Sequence, residues 1–213
     1  MEIATAIVIA VKNNLEFSEF ELSLKEYAKN NNVPIIIDEG LSFLEAIIKI
    51  KRPRKILEIG TAIGYSAIRM NKACGSAIYT IERNEKMYDL ASSNIKALGL
   101  ENEIHIIFKD ALEAFDDVKD NEFDLIFIDA AKAQYTKFFD LYTPLLSKNG
   151  VVVCDNMLFH GLLEDKDNYQ NQSRSVRGLI RKLEGFHSFL LDNKDYDTAI
   201  YDIGDGMAVS IKK

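Results

Sequence analysis

The sequence predicts an α/β fold: a doubly wound, mostly parallel seven-stranded sheet of Rossmann-like type that ends in an antiparallel hairpin. Two observations predict it. From Lys55 onward, short apolar runs alternate with helical stretches, which implies right-handed crossovers and a sheet covered on both faces. The chain then closes on Thr198–Ile203, Gly204-Asp205-Gly206 and Met207–Ile211, two apolar runs joined by a tight turn, which is the signature of a hairpin.

With 213 residues, 47% of them hydrophobic, one core can bury enough surface to fold without a disulfide or metal. The chain therefore reads as one domain, 1–213, with a helical part over 1–52 and an α/β core over 53–213. Ile3–Val11 is almost unbroken apolar sequence behind an acidic start. It is too short to span a bilayer and lacks the basic flank of a secretory signal, so a docking helix at a homodimer interface and a cytoplasmic location are expected. Phe17, Phe20, Leu22, Leu24, Tyr27 and Ala28 form a first helix, which Val33-Pro34 ends. Asp38 is placed to cap a second, with Leu41, Leu44, Ile47 and Ile48 on its apolar face.

In the core, Lys55–Ile59 reads as a buried strand, followed by a glycine turn and a helix over Tyr65–Cys74. Ala77–Ile81 is the second strand and Glu85–Leu98 a helix stopped by Gly99. Glu103–Phe108, Phe123–Ile128 and Gly150–Cys154 are three further strands. A polar stretch, Glu164–Ser173, precedes a late helix over Val176–Leu191. Cys74 and Cys154 form no CxxC pair, so neither a zinc site nor a disulfide framework is indicated.

Ligands of open parallel sheets bind beyond the carboxyl ends of the strands. Those ends carry Glu58, Glu82, Asp110, Asp129 and Asp155. Buried unpaired acids are costly, so a cationic or hydroxyl-rich ligand, or a metal, accounts for them better than stability does. Gly60-x-x-x-Gly64 departs from the dinucleotide spacing and does not call for a pyrophosphate. Glu82 is placed to accept from a ribose diol, and Asp110 with the Ala111 amide to pair with an adenine edge.

Together, Ile56-Leu57-Glu58-Ile59-Gly60-Thr61, Gly64-Tyr65-Ser66, Asp129-Ala130 with Lys132 and Tyr135, and Asp155-Asn156 resemble the metal-dependent class I S-adenosylmethionine O-methyltransferases of the catechol and caffeoyl-CoA type. The resemblance implies cofactor contacts from Glu58, Gly60, Ser66, Glu82, Asp110, Ala111 and Asp129, with Ile36 covering the methionine end. It also implies the terminal hairpin inserted antiparallel, and a homodimer.

Asp129, Asp155 and Asn156 offer three hard oxygen donors from neighbouring strand ends, a set suited to Mg²⁺, Mn²⁺ or Ca²⁺. The bland reading of Asp155-Asn156 is a turn. Two vicinal oxygens of the acceptor would chelate a metal there, which would acidify the hydroxyl to be methylated. Lys132, three residues past Asp129, is the expected base, against the alternative of a surface lysine at a helix start. Of the histidines, only His160 lies near enough to the rim to line a substrate pocket.

For the acceptor, the stretches Val33–Ile36, Glu39-Gly40-Leu41, Ile59–Ile68, Thr80–Arg83 and Ile203–Ser210 resemble the bacterial tRNA 5-hydroxyuridine methyltransferases. That resemblance implies methylation of wobble 5-hydroxyuridine in a tRNA anticodon loop. A small catechol or phenol is the alternative, and a non-catalytic cofactor-binding protein a further one. Tyr135 is expected to face the substrate, and Arg174 and Arg177, with Arg181 and Lys182 on the same helix face, are the expected RNA contacts, against a merely solvated face. The formal charge of −7 argues against nonspecific coating of nucleic acid but leaves room for such a local patch.

Overall fold

The computed structural model describes residues 15–158 and 171–213. Ile3–Val11, His160 and most of Glu164–Ser173 lie outside the described residues.

Two helices come first, α1 (Glu19–Asn31) and α2 (Asp38–Lys51). Ser18 and Glu21 form a reciprocal capping box at the start of α1. Asp38 does not cap α2: the cap position is Ile37, and the Asp38 carboxylate instead takes Lys25 Nζ at 2.6 and 2.8 Å. An ion pair between helices has displaced the local bond.

The strands β1 (Lys55–Ile59), β2 (Ala77–Glu82), β3 (Ile104–Phe108), β4 (Phe123–Ile128), β5 (Leu146–Cys154), β6 (Tyr196–Tyr201) and β7 (Met207–Lys212) form one sheet in the order β3-β2-β1-β4-β5-β7-β6. The first five are parallel, while β7 enters antiparallel between β5 and β6. This is the doubly wound sheet with a terminal hairpin that the alternation of elements predicts. β5 starts earlier than the apolar run suggests, because Leu146 pairs with Phe123 before a register shift and the left-handed Asn149.

Side chains alternate faces along each strand. Ile56, Leu125, Phe127, Val151 and Val153 pack under α1, α2, α3 (Tyr65–Cys74) and α4 (Glu85–Ala97). Leu57, Ile59, Ile126, Ile128, Val152 and Cys154 pack on the other face against α5 (Phe115–Val118), α6 (Tyr135–Tyr142) and α7 (Arg174–Asp192). The sheet is therefore buried on both faces, and its carboxyl edge is where polar groups gather.

Candidate functional site

The parallel ladder continues one residue past the strands. Gly60 N–H donates to Ile81 O at 3.1 Å, Asp129 N–H to Ile59 O at 3.0 Å and Asp155 N–H to Ile128 O at 3.1 Å. Register thus carries the rim residues to one level. At the turn after β1 only glycine fits, since Gly60 has φ +105° and an added Cβ would lie 2.0 Å from the Asp129 carbonyl oxygen.

A cavity of about 340 Å³ opens there, walled by Ile36, Gly60, Ser66, Glu82, Asp110, Ala111 and Asp129 among others. Glu82 accepts the Ala62 N–H at 2.9 Å and the Asn84 N–H at 2.8 Å, which fixes the carboxylate while leaving further lone pairs for a ligand. Asp110 accepts from Leu112 N–H at 2.9 Å and from Arg83 at 3.1 Å, and the Leu112 bond foremost holds its carboxyl below the usual range. The Ala111 carbonyl is pinned by the Tyr142 hydroxyl.

Glu58 is not on this wall. It is fully buried beneath it, with Ser66 donating to one oxygen and Thr80 to the other at 2.6 Å. The expectation of a direct cofactor contact is corrected accordingly: β1 points Glu58 toward α3, and it holds Ser66, which does reach the cavity. Burial pushes its carboxyl up to about 7, against the pull of those two bonds.

A second, wider opening of about 970 Å³ meets the first at Asp129, Lys132, Asn156 and the Val33–Ile36 segment. Asp155 and Asp205 line it from the sheet, Lys25 and Lys29 from α1. Asp155 Oδ1 accepts the Asn156 N–H at 2.6 Å, and Asn156 Nδ2 donates to Asp129 at 3.2 Å, with Asn156 held at φ 60°. The two carboxyls are raised, each chiefly by burial and also by Asp205, with Asp129 raising Asp155 directly; Lys132 opposes both. Among the described residues no three His, Cys, Asp or Glu side chains group at metal-binding distance. The set that gathers here is two carboxylates and a carboxamide, crowded charges whose chemistry fits a hard cation.

One other expectation is corrected. Tyr135 does not face substrate: it is 1% exposed, packs edge-on against Phe186 and donates to the Asp155 carbonyl at 3.1 Å. Its place at the start of α6 turns the ring into the core, where it braces the loop carrying Asp155. Arg174 and Arg177 line neither cavity; Arg174 is exposed and Arg177 half-buried on the first turns of α7. His105 packs on Tyr79, and His187 bonds the Met157 carbonyl at 2.8 Å.

Sequence reasoning passed over Asp205, Lys25 and Lys29. Asp205 reads as an ordinary turn residue between two glycines, and only the pairing of Met157 and Leu158 N–H with the Gly206 and Asp205 carbonyls, at 2.9 and 2.8 Å, brings it beside Asp155. The lysines sit one helical turn apart on α1 and carry no local mark of a site.

A family model described as O-methyltransferase matches residues 14–213. A catechol O-methyltransferase of Niastella koreensis is 30% identical over 181 residues, 80% of this chain and 79% of its own length. A caffeoyl-CoA O-methyltransferase of Populus kitakamiensis is 26% identical over 197 residues, 89% of this chain and 82% of its own. Among crystal structures, a Staphylococcus aureus protein provisionally described as a caffeoyl-CoA O-methyltransferase is 41% identical, with TM-score 0.87 and 92% and 93% of the two chains covered. A Podospora anserina methyltransferase with bound S-adenosylhomocysteine is 25% identical, with TM-score 0.83 and coverage of 95% and 91%.

Proposed function

The chain belongs to the O-methyltransferase family, and on that premise we propose that it methylates one of two vicinal oxygens of a small phenolic acceptor, with S-adenosylmethionine as donor and a divalent cation as aid. One observation carries the reading: Asp129 stands on the wall of both cavities, so a cofactor in one meets an acceptor in the other at that carboxylate.

Glu82 would take the ribose diol, and Asp110 with Ala111 the adenine edge. Gly60 and Ser66 would take the amino-acid end, which Ile36 covers. Asp129, Asp155 and Asn156 would hold the cation. The donor supplies an electrophilic methyl group, and the cation supplies positive charge at the acceptor oxygens. Lys132, at the meeting of the cavities, takes the proton from the acceptor hydroxyl. The fixed walls hold that oxygen in line, and alignment contributes much of the acceleration.

The relatives described as catechol and caffeoyl-CoA enzymes support the small phenol. The acceptor opening sets Glu26, Asp38, Glu39, Asp129, Asp155 and Asp205 against Lys25, Lys29 and Lys132, a net-negative lining that is a poor surface for phosphates. The second reading, wobble 5-hydroxyuridine of tRNA, presents the same pair of oxygens, and the breadth of that opening favours it. The test offers the purified protein S-adenosylmethionine, Mg²⁺ and either 3,4-dihydroxyphenyl compounds or tRNA bearing 5-hydroxyuridine. Monomethylated phenol is the expected product. Transfer to tRNA alone moves the assignment to the second reading. Cofactor binding with transfer to neither rejects both acceptors.

A further inference from the structure

Charge as well as apolar surface fastens the N-terminal helices to the sheet. Arg69, on α3 one turn past Ser66, is 3% exposed. It donates to Glu21 of α1 at 2.7 Å, to Glu45 of α2 at 2.8 Å, and to the Glu16 carbonyl at 2.8 Å. The other Glu21 oxygen accepts Lys72 Nζ at 2.8 Å and the Ser18 N–H at 2.6 Å. Lys25 and Arg69 each lie over the Phe17 ring, 4.1 and 4.9 Å from its centroid. Burial alone would raise the Glu21 carboxyl, but its bonds with Lys72, Ser18 and Arg69 outweigh that and bring it down to about 2.

The two helices depend on this cluster unequally. α2 buries Leu41, Leu44 and Ile48 completely and has its own apolar hold. The buried side chains of α1 are Glu21, Leu24 and Ala28, one of them a charge that only the cluster satisfies. α1 supplies Lys25, Glu26, Ala28 and Lys29 to the acceptor opening and no side chain to the cofactor cavity.

We propose that Arg69 is a positioning residue for the acceptor: by holding Glu21 against α3, it sets the α1 wall of the acceptor opening at a fixed place relative to Ser66 and the glycine turn. The inference rests on the reading of that opening as the acceptor's seat. The cofactor seat, built from strand ends and the Val33–Ile36 segment, takes no side chain from α1.

Replacing one member of a buried ion cluster strands the others and weakens the element they hold. Arg69→Met and, should that variant not fold, Glu21→Gln are compared with wild type and with Arg69→Lys. S-adenosylhomocysteine affinity should stay within about threefold, while the acceptor KM rises about tenfold and kcat changes little. Amide exchange should quicken about tenfold across Glu19–Asn31, less in α2, which keeps its apolar hold, and stay unchanged in the sheet. Arg69→Lys should restore part of both effects. An unchanged KM, cofactor affinity falling in step with it, or exchange rising equally in the sheet would overturn the proposal. A wild type inactive on every vicinal diol and on tRNA removes the acceptor reading, and the cofactor and exchange measurements then decide whether Arg69 places α1.

Discussion

The Ser66 hydroxyl donates to Glu58, a carboxylate with no exposed surface. Thr80 donates to the other oxygen, and Thr61 lies 2.6 Å from Thr80. With Glu58 ionised, the Thr80 proton is committed to it, so Thr61 donates to Thr80. A buried chain of hydroxyls thus runs beneath the glycine turn and orients Ser66, which, like Thr61, lines the cofactor cavity.

This burial makes stability depend on pH. Glu58 is raised from its ordinary value of 4.5 to about 7, so the folded protein holds the proton more tightly than the unfolded chain. Its contribution is complete below about pH 4.5 and is lost as pH rises through 7, a difference of about 3 kcal/mol. Urea midpoints of ligand-free protein between pH 5 and 8.5 should fall, and Glu58→Gln should flatten that fall. Parallel profiles in the two proteins would contradict the assignment.

Gly60→Ala should cost about 3 kcal/mol or more, because the methyl would meet the Asp129 carbonyl at 2.0 Å. Gly64→Ala is the control: its φ is +81°, but the nearest atom is the Ala91 Cβ at 3.4 Å, so only backbone strain of about 1–2 kcal/mol is expected. Equal losses in thermal unfolding would show that close approach is not the reason for glycine at position 60.

Asp155→Ala should separate cofactor binding from transfer. Asp155 lines the acceptor opening and not the cofactor cavity, so S-adenosylhomocysteine affinity should hold within about threefold while turnover drops about a hundredfold or more. Chelator should do the same to wild type, with recovery on adding Mg²⁺ or Mn²⁺. Full turnover in chelator-treated protein would remove the cation from the reading.

Lys132→Ala should lower kcat about a hundredfold near neutral pH with little effect on cofactor affinity. The deficit should shrink as pH rises toward the acceptor's own pKa, since an acceptor already ionised needs no base. A deficit that stays constant with pH would instead make Lys132 a positioning group.

The order of strands and helices and the carboxylates at the strand ends are legible in the sequence because each follows from local pattern. An apolar run of strand length ends where a polar residue begins, and parallel register then carries Glu82, Asp110, Asp129 and Asp155 to one edge. The sequence determined that these acids would share a rim. Only the tertiary structure decided that Glu58 lies beneath the cavity and that Tyr135 turns into the core. It also placed Asp205 beside Asp155 and let Arg69 gather Glu21 and Glu45 from two other helices. Glu21 and Glu45 do interrupt apolar faces, a visible sign that they are buried, but their partner is on neither helix. A strand-end position is set by neighbours along the chain and a hydrogen-bonded ladder. A side chain's partners across layers are set by which faces the whole chain buries together.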